Sequence, residues 1–296
     1  MARTVQASFD QYRSNLELTD RQEALVSSRW RAVVAALETR LSLHPERSRL
    51  SGSWDRNTIT KHLSEGDVDV MVILDYSVHG GWDTADGTAA CLDRFKSILS
   101  AAYPNTENRK DRNCINMRFR EFRLDVVPTF RYADGHYSIP DSIRRLWVPT
   151  DPIRFQVGVT AINRQMGGGF VPLIKMMKGW NRHSDWRIRS FHLECMMYHH
   201  FLRYTGELPF PVLVVEAFDM LVARLQAPAL DPVMSGRVDT YLDNGGSPSR
   251  RRSAIDKAVA GRAIAAVALS HARRGDERAA IDAWKSIMGR FFPAYG

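Results

Sequence analysis

The sequence predicts an α+β protein in which a lobe of mixed sheet and helices, residues 1–150, is packed on an all-helical lobe, residues 151–296. Strand-like segments occupy the first half of the chain, and helical periodicity prevails from Asp151 onwards. The composition agrees with a globular protein. Of the 296 residues, 44% are hydrophobic, which is enough for a sizeable core, and 25% are charged. One large domain and two closely packed lobes both fit this balance.

The charge of the chain favours a polyanionic partner. Its net charge is +8 and its pI is about 9.6, which suits a nucleic acid or a nucleoside triphosphate equally well. A solvated basic surface without any such partner explains the same excess. Charge therefore leaves nucleic acid binding open without requiring it.

The cysteines and the N-terminus argue against several classes of protein. Cys91, Cys114 and Cys195 lie far apart in apolar segments without a CxxC pair, so we expect reduced core residues rather than a zinc site or disulfides. The N-terminal segment lacks the apolar stretch of an export signal, and the longest apolar run, residues 263–269, is too short to span a bilayer. We therefore expect a soluble, cytoplasmic protein with no membrane partner.

The first lobe begins with a long predicted helix. A doubled capping box at residues 19–23 starts this helix, and apolar residues then recur at three- and four-residue spacing until His44-Pro45 ends it. A polar, glycine-containing turn follows at residues 51–58. Residues 67–74 then form a strand that is apolar on both faces, as in the middle of a sheet, except for two aspartates at its start.

Three further elements complete the first lobe. Residues 88–102 have the apolar stripe of a helix. Residues 114–119 and 122–127 are predicted to form a hairpin, because the alternation of inward residues changes phase at Arg120-Glu121. Pro128 is expected to end the second strand.

The second lobe contains five predicted helices joined by turns rich in glycine or proline. The turns include residues 167–169 and 244–248. The helices are expected at residues 172–180, 190–204, 213–225, 253–271 and 277–291.

Three aspartates are candidates for one metal site. Asp67 and Asp69 point to the same side of their strand, and their Cα atoms lie roughly 6 to 7 Å apart. Two buried like charges raise each other's pKa and lose hydration, so a positive group has to offset them. Asp125 is a third acid in the same kind of setting, on the second hairpin strand. If the two strands are neighbours, three carboxylates meet.

Three carboxylates suit Mg²⁺ or Mn²⁺ and the in-line phosphoryl transfer of two-metal sites. The alternative is structural: the aspartates would cap a loop or pair with nearby basic side chains. These basic side chains are Arg56, Lys61, Arg118 and Arg123. For an isolated Asp-x-Asp the structural alternative is preferred, but the third acid and the preceding turn favour the metal site.

The turn before the acidic strand contains Gly52-Ser53, and Ser53 precedes Asp67 by fourteen residues. Glycine lets the backbone approach a ligand closely, and loop amides together with a serine hydroxyl bind phosphate well. The phosphate-binding turn and the metal ligands would then belong to one rigid unit.

Five segments, spread over most of the chain, carry a family resemblance. They are Gly52-Ser53-x-x-Arg56-x-Thr58, Asp67-Val68-Asp69, Leu124-Asp125-Val126-Val127-Pro128, Lys175 to Asn181 and Ser190 to Glu194. The set resembles the polymerase-beta nucleotidyltransferase superfamily and, within it, the bacterial cGAS/DncV-like nucleotidyltransferases (CD-NTases), which are related to the oligoadenylate synthases. Asn57 stands where members often carry glycine.

The resemblance implies a polymerase-beta-type nucleotidyltransferase lobe packed on the helical lobe, with the active site in the cleft between them. It implies an enzyme that makes a cyclic dinucleotide or oligonucleotide second messenger from NTPs, ATP or GTP, and releases pyrophosphate. The setting would be bacterial anti-phage (CBASS) signalling, in which a separate effector protein responds to the product. Asp67 and Asp69 would bridge two Mg²⁺ ions, for which Mn²⁺ can substitute, and Asp125 would complete one metal site and help to activate the acceptor hydroxyl.

The resemblance also assigns the donor triphosphate to Gly52 and Ser53, and to Lys178 and Ser190 of the helical lobe. Helical spacing places Lys178 on one face with two other basic residues. These are Lys175 and Arg182. Such a stripe is more often a solvated surface, which we expect for Arg182, whereas Lys178 is the better phosphate ligand.

Two other functions stay open on the sequence alone. A linear oligoadenylate synthase or an RNA 3′-end nucleotidyltransferase would use the same acidic site. A catalytically inactive nucleic-acid-binding module would use the basic surface by itself, although such a module would have no reason to keep three buried acids.

Overall fold

The structure is a computed structural model that describes residues 2–61, 63–185, 187–243 and 249–296. The predicted turn at residues 244–248 lies outside these ranges. The chain divides into two compact units. Leu18–Arg154 contains the strands and is named the sheet unit, and Met1–Glu17 with Phe155–Gly296 is named the helical unit.

The helices and strands have the following bounds. The helices are α1 (Val5–Leu16), α2 (Asp20–Glu38), α3 (Gly52–Asp55), α4 (Tyr76–His79), α5 (Gly87–Ala102), α6 (Pro152–Gln165), α7 (Phe170–His183), α8 (Ser190–Phe201), α9 (Phe210–Arg224), α10 (Ser249–Arg273) and α11 (Glu277–Met288). The strands are β1 (Leu43–Ser51), β2 (Asp67–Leu74), β3 (Glu107–Lys110), β4 (Ile115–Arg118), β5 (Arg123–Arg131), β6 (Tyr137–Asp141) and β7 (Leu146–Thr150).

The sheet is mixed, as the α+β prediction requires. Its strand order is β1-β2-β5-β4-β3, and β6 pairs with both β5 and β7. β2 and β5 run parallel, while the other pairs are antiparallel. The two strands that carry the predicted acids are therefore adjacent and central, which explains why both are apolar over most of their length.

The two faces of β2 and β5 differ in character. Val68, Val70, Leu124 and Val126 are fully buried in a core shared with side chains of α2 and α5. Successive residues of a strand point to opposite faces, so the odd-numbered positions of the same segments lie on the other side of the sheet. The stabilising apolar contacts and the acidic side chains are thus separated by the alternation of the strands.

The first residues of the chain fold in the helical unit, whereas the sequence analysis assigned them to the first lobe. Phe9, Tyr12 and Leu16 of α1 are fully buried. The Phe9 ring packs edge-on against Trp284 at 5.0 Å and against Phe292 at 5.1 Å between ring centroids. The apolar stripe of α1 needs a complementary surface, and α11 and the segment after it provide one.

The predicted end of the second hairpin strand at Pro128 is wrong, because β5 continues to Arg131. Phe119 donates its N–H to the Phe122 carbonyl across the hairpin turn, so even-numbered residues of β5 direct their backbone groups towards β4. The register with β4 runs only from Arg123 to Val126. Pro128 lies beyond that register, so its missing N–H disrupts no bond with β4.

The first predicted helix is also too long, since α2 ends at Glu38 and His44-Pro45 belongs to β1. β1 pairs antiparallel with β2 at the edge of the sheet. It is polar and contains a proline, which edge strands tolerate, and for that reason its sequence gives little strand signal. Across the described ranges, no helix is long and apolar enough to cross a membrane.

Candidate active site

The three predicted aspartates lie on one face of the sheet. In the parallel register of β2 and β5, Asp69 is directly opposite Asp125, and Asp67 is opposite Arg123. Asp67 and Asp69 are two residues apart, so they share a face with each other and with Asp125. The structure therefore places all three on one face of the sheet, as predicted, while their role as metal ligands stays a prediction.

The side chain of Asp67 is 41% exposed, and Asp125 is more enclosed. Its side chain is 15% exposed, and Asn116 on β4 donates a hydrogen bond from Nδ2 to Asp125 Oδ1 at 2.7 Å. Burial raises the pKa of Asp125 to about 7, and Asp69 contributes in the same direction. A nearby cation would reverse this effect, because it favours the charged carboxylate.

Arg123 supplies a positive charge to this face. Its guanidinium forms an ion pair with Asp67, and its Nε lies 3.5 Å from Asp125 Oδ1. Within the described residues, no three His, Cys, Asp or Glu side chains are grouped closely enough to hold a metal ion.

The donor set nevertheless fits a hard divalent cation. Carboxylate oxygens are the ligands that Mg²⁺ and Mn²⁺ prefer. The guanidinium of Arg123 already occupies the position of a cation between Asp67 and Asp125. Asp67, Asp69 and Asp125 would therefore hold the metal, with Asn116 orienting Asp125 from the neighbouring strand.

Gly52 is required where the turn after β1 meets the acids. Ser51, the last residue of β1, pairs with Asp69, and Gly52 follows with φ of 64°. A Cβ atom at this position would lie 2.0 Å from Asp69 Oδ2. Only glycine combines the positive φ with this close approach.

The turn after Gly52 is held by its own backbone. α3 is a single turn, and the Ser53 carbonyl accepts N–H bonds from Thr58 at 2.8 Å and from Ile59 at 3.0 Å. Asn57 has φ of 54°, a left-handed conformation that asparagine tolerates better than most residues. The residue that departs from the family pattern therefore adopts a backbone conformation for which glycine is the usual choice.

The basic face predicted on α7 is not a solvated surface. Lys178 is 7% exposed and lies 2.6 Å from Glu194 of α8, and Lys175 is 2% exposed and lies 2.5 Å from Glu17. The prediction of a solvated Arg182 is wrong: it is half-buried, and burial followed by Arg290 lowers its pKa to about 10. α7 is enclosed on nearly all sides, so its long basic side chains are buried with it.

Ser190 is the first residue of α8 and is half-buried. The N–H of the preceding Arg189 donates to the hydroxyl of Tyr241 at 2.8 Å, and His192 Nδ1 lies 2.9 Å from the same hydroxyl. Tyr241 therefore fixes the start of the helix that carries Ser190. Contact of Lys178 and Ser190 with a triphosphate stays a prediction.

Asn116, Glu194 and Tyr241 have contacts at the site that were not predicted from the sequence. Asn116 could have been found, because counting outwards from the predicted turn Arg120-Glu121 places it opposite Asp125, as observed. Glu194 and Tyr241 contact their partners through tertiary packing of separate helices and loops, and no spacing in the sequence indicates these contacts.

The chain matches the model of a family described as SMODS, Second Messenger Oligonucleotide or Dinucleotide Synthetase domain, over residues 3–163. It is also similar to a cyclic AMP-AMP-AMP synthase from an Acinetobacter species, with 26% identity over 279 residues. The aligned region covers 87% of this chain and 77% of that protein.

Two solved structures share the fold. One is CdnC of Escherichia coli MS115-1 with ATP, at a TM-score of 0.72 and 17% identity, covering 97% of this chain and 98% of that chain. The other is the Vibrio cholerae DncV cyclic AMP-GMP synthase, a prokaryotic cGAS homolog, at a TM-score of 0.73 and 13% identity, with the same coverage. These likenesses confirm the predicted combination of a mixed sheet and a helical region.

The first prediction concerns Gly52. Gly52→Ala and Gly135→Ala should each lose about 1–2 kcal/mol of unfolding free energy, because both positions have positive φ. Nothing lies within 4 Å of a Cβ at Gly135, whereas at Gly52 it meets Asp69. Only Gly52→Ala should also weaken Mn²⁺ binding, by about tenfold, as measured by electron paramagnetic resonance. Equal Mn²⁺ affinities in the two variants would contradict this role.

The second prediction concerns the pH dependence of stability without metal. Because the pKa of Asp125 is raised to about 7 from 3.8, the folded chain retains its proton between these values and the unfolded chain does not. The free energy of unfolding therefore falls as the pH rises through this window. Asp125→Asn in EDTA should be about 2–4 kcal/mol more stable than the parent chain at pH 8 and equal to it at pH 4. Urea titration at both pH values measures this, and a pH-independent difference would refute it.

Proposed function

The chain belongs to the SMODS family of Second Messenger Oligonucleotide or Dinucleotide Synthetases, and from this membership we propose a cyclic oligonucleotide as its product. The substrates would be NTPs and the leaving group pyrophosphate. The relative that makes cyclic AMP-AMP-AMP supports ATP as the first substrate to test. Membership also confirms the resemblance to the CD-NTases, so the chain is a nucleotidyltransferase. We place it in the cytoplasm, in anti-phage signalling of the CBASS type, with a separate effector protein that binds the product.

One observation carries the proposal. Asp69 is opposite Asp125, Asp67 lies on the same face, and Gly52 brings the backbone of the turn against Asp69. The acids and the backbone amides that we propose for phosphate binding therefore meet at one end of the adjacent strands β1, β2 and β5, and in-line phosphoryl transfer requires such an arrangement.

We assign metal binding to all three acids and proton transfer to Asp125. Asp67 and Asp69 would hold two Mg²⁺ ions with Asp125, and bound Mg²⁺ would neutralise phosphate charge and promote ionisation of the acceptor hydroxyl. Asp125 would also take the proton from that hydroxyl, as a carboxylate that the bound cations keep charged. Asn116 keeps the carboxylate of Asp125 in one orientation.

The donor triphosphate would bind to the turn after β1. The amides of Gly52 and Ser53 and the Ser53 hydroxyl are the donors in the sheet unit. In the helical unit, Lys178 and Ser190 match the family's phosphate-binding positions. The carboxylate of Glu194 pairs with Lys178 and fixes its orientation.

The third prediction tests the reaction itself. With ATP and Mg²⁺, the chain should form a product that resists phosphatase and has the mass of a cyclic oligoadenylate. Asp69→Asn should reduce the product to background, while Asp93→Asn, an exposed aspartate on α5, should leave it unchanged. A phosphatase-sensitive product would indicate a linear synthase. Absence of product with all four NTPs would indicate an inactive binding module.

The fourth prediction tests Lys178. Lys178→Met alone would remove the ammonium that pairs with the buried carboxylate of Glu194, which is strongly destabilising. The double variant Lys178→Met with Glu194→Gln therefore removes both charges. We expect KM for ATP to rise about tenfold, because a charge-assisted hydrogen bond to phosphate is lost. The metal concentration for half-maximal rate should stay constant. Lys257→Met, an exposed lysine of α10, is the control, and an unchanged KM in the double variant would remove Lys178 from the phosphate ligands.

A further inference from the structure

We propose that Arg123 is a built-in counter-ion that holds Asp67 and Asp125 together in the metal-free chain and is displaced when a divalent cation binds. The proposal rests on the function proposed above, because it takes these two aspartates as metal ligands. It adds a residue that tunes metal affinity without being a ligand itself.

The position of Arg123 follows from the sheet register. Arg123 precedes Asp125 by two residues on β5, so both side chains leave the same face of the strand. The parallel pairing places Arg123 directly opposite Asp67 on β2. The guanidinium is therefore within reach of one acid along its own strand and one acid across the strand pair.

Contacts of the guanidinium agree with this position. It pairs with Asp67 through Nη2, and its Nε lies 3.5 Å from Oδ1 of Asp125. One planar cation thus contacts carboxylates on two strands, which the five N–H donors of arginine allow.

A divalent cation competes with this guanidinium for the same two carboxylates. Both are attracted to the carboxylates of Asp67 and Asp125, and they repel each other at such short range. Metal binding therefore has to include the loss of the ion pairs of Arg123. The apparent metal affinity is lowered by the stability of those pairs, as for any competing ligand.

A pocket next to the acids can accept the displaced side chain of Arg123. Arg123 and Asp67 line this pocket of about 490 Å³ in the sheet unit, which Glu107 also lines, together with three basic residues of β3, β4 and the hairpin turn. These residues are Arg109, Arg118 and Arg120. The side chain of Arg123 is 48% exposed, so rotation into the pocket breaks no core packing.

Arg118 offers a matched control. It is paired with Arg123 across β4 and β5 and lines the same pocket. Among the described residues it has no carboxylate within ion-pair distance. Replacing Arg118 removes one positive charge near the acids without removing a contact to them, so it measures the long-range effect of charge alone.

The experiment is a metal titration of the full chain without nucleotide. Isothermal calorimetry or Mn²⁺ electron paramagnetic resonance gives the affinity for Mg²⁺ or Mn²⁺. We expect Arg123→Gln to bind the metal about three- to tenfold more tightly than the parent chain and Arg123→Lys to fall between them, since lysine keeps the charge but loses the fork. Arg118→Gln should change the affinity by less than about twofold.

Thermal stability provides a second readout. In EDTA, Arg123→Gln should melt at a lower temperature than the parent chain, because the acids lose their counter-ion, and saturating Mg²⁺ should raise its melting temperature by more than it raises that of the parent. An affinity for metal in Arg123→Gln that equals the parent's, equals that of Arg118→Gln, or is weaker would overturn the proposal.

Asp69→Asn separates this inference from the proposed function. If Asp69→Asn binds metal as the parent chain does, the assignment of the metal site itself fails. If Asp69→Asn loses metal binding while Arg123→Gln is unchanged, the metal site stands and the role of Arg123 fails.

Discussion

The parallel pairing of β2 with β5 is the constraint on which the site depends. It sets Asp69 opposite Asp125, and the alternation of side chains puts both on the face away from the core. A shift of this register by one residue would turn Asp125 towards the core face and bring Leu124 or Val126 to the polar face. Such a shift would expose apolar side chains that are now buried, so the observed register is favoured. The core contacts of one face thereby hold the acids of the other face in place.

The site keeps this geometry at an electrostatic cost. Asp125 is largely buried beside Asp69, and the direction of its pKa shift shows that the charged form is disfavoured. Asn116 and Arg123 offset part of this cost. The remainder favours a bound cation at this face, which the proposed metal site would supply. The buried charge of Asp125 therefore lowers the stability of the metal-free fold at the place where a cation would bind most favourably.

In the helical unit, two buried lysines form ion pairs with glutamates. Lys178 with Glu194 and Lys175 with Glu17 join α7 to α8 and to the residue after α1. A buried ammonium without a carboxylate would lose its charge or unfold the segment. Lys178 thus has a structural pairing with Glu194, and its contact with phosphate stays a prediction.

Several features were determined by the sequence itself. The strand at residues 67–74, the hairpin around Arg120-Glu121 and the α+β class follow from local periodicity and turn composition, which depend on neighbouring residues. The candidate acids could be identified because polar residues in an apolar strand are costly and need a reason. The edge strand β1 was missed, because its pattern is polar and its stability comes from pairing with β2.

Other features were decided by the tertiary structure. Whether Asp67 faces Arg123, whether Gly52 touches Asp69 and whether Lys178 meets Glu194 depend on the register and packing of segments distant in the chain. The prediction of a solvated Arg182 was wrong for the same reason, since the burial of a side chain depends on what surrounds its helix. A sequence determines which side chains share a face of one element, because that periodicity is local. Only the folded chain determines which faces meet, because that choice minimises the free energy of the whole set of contacts.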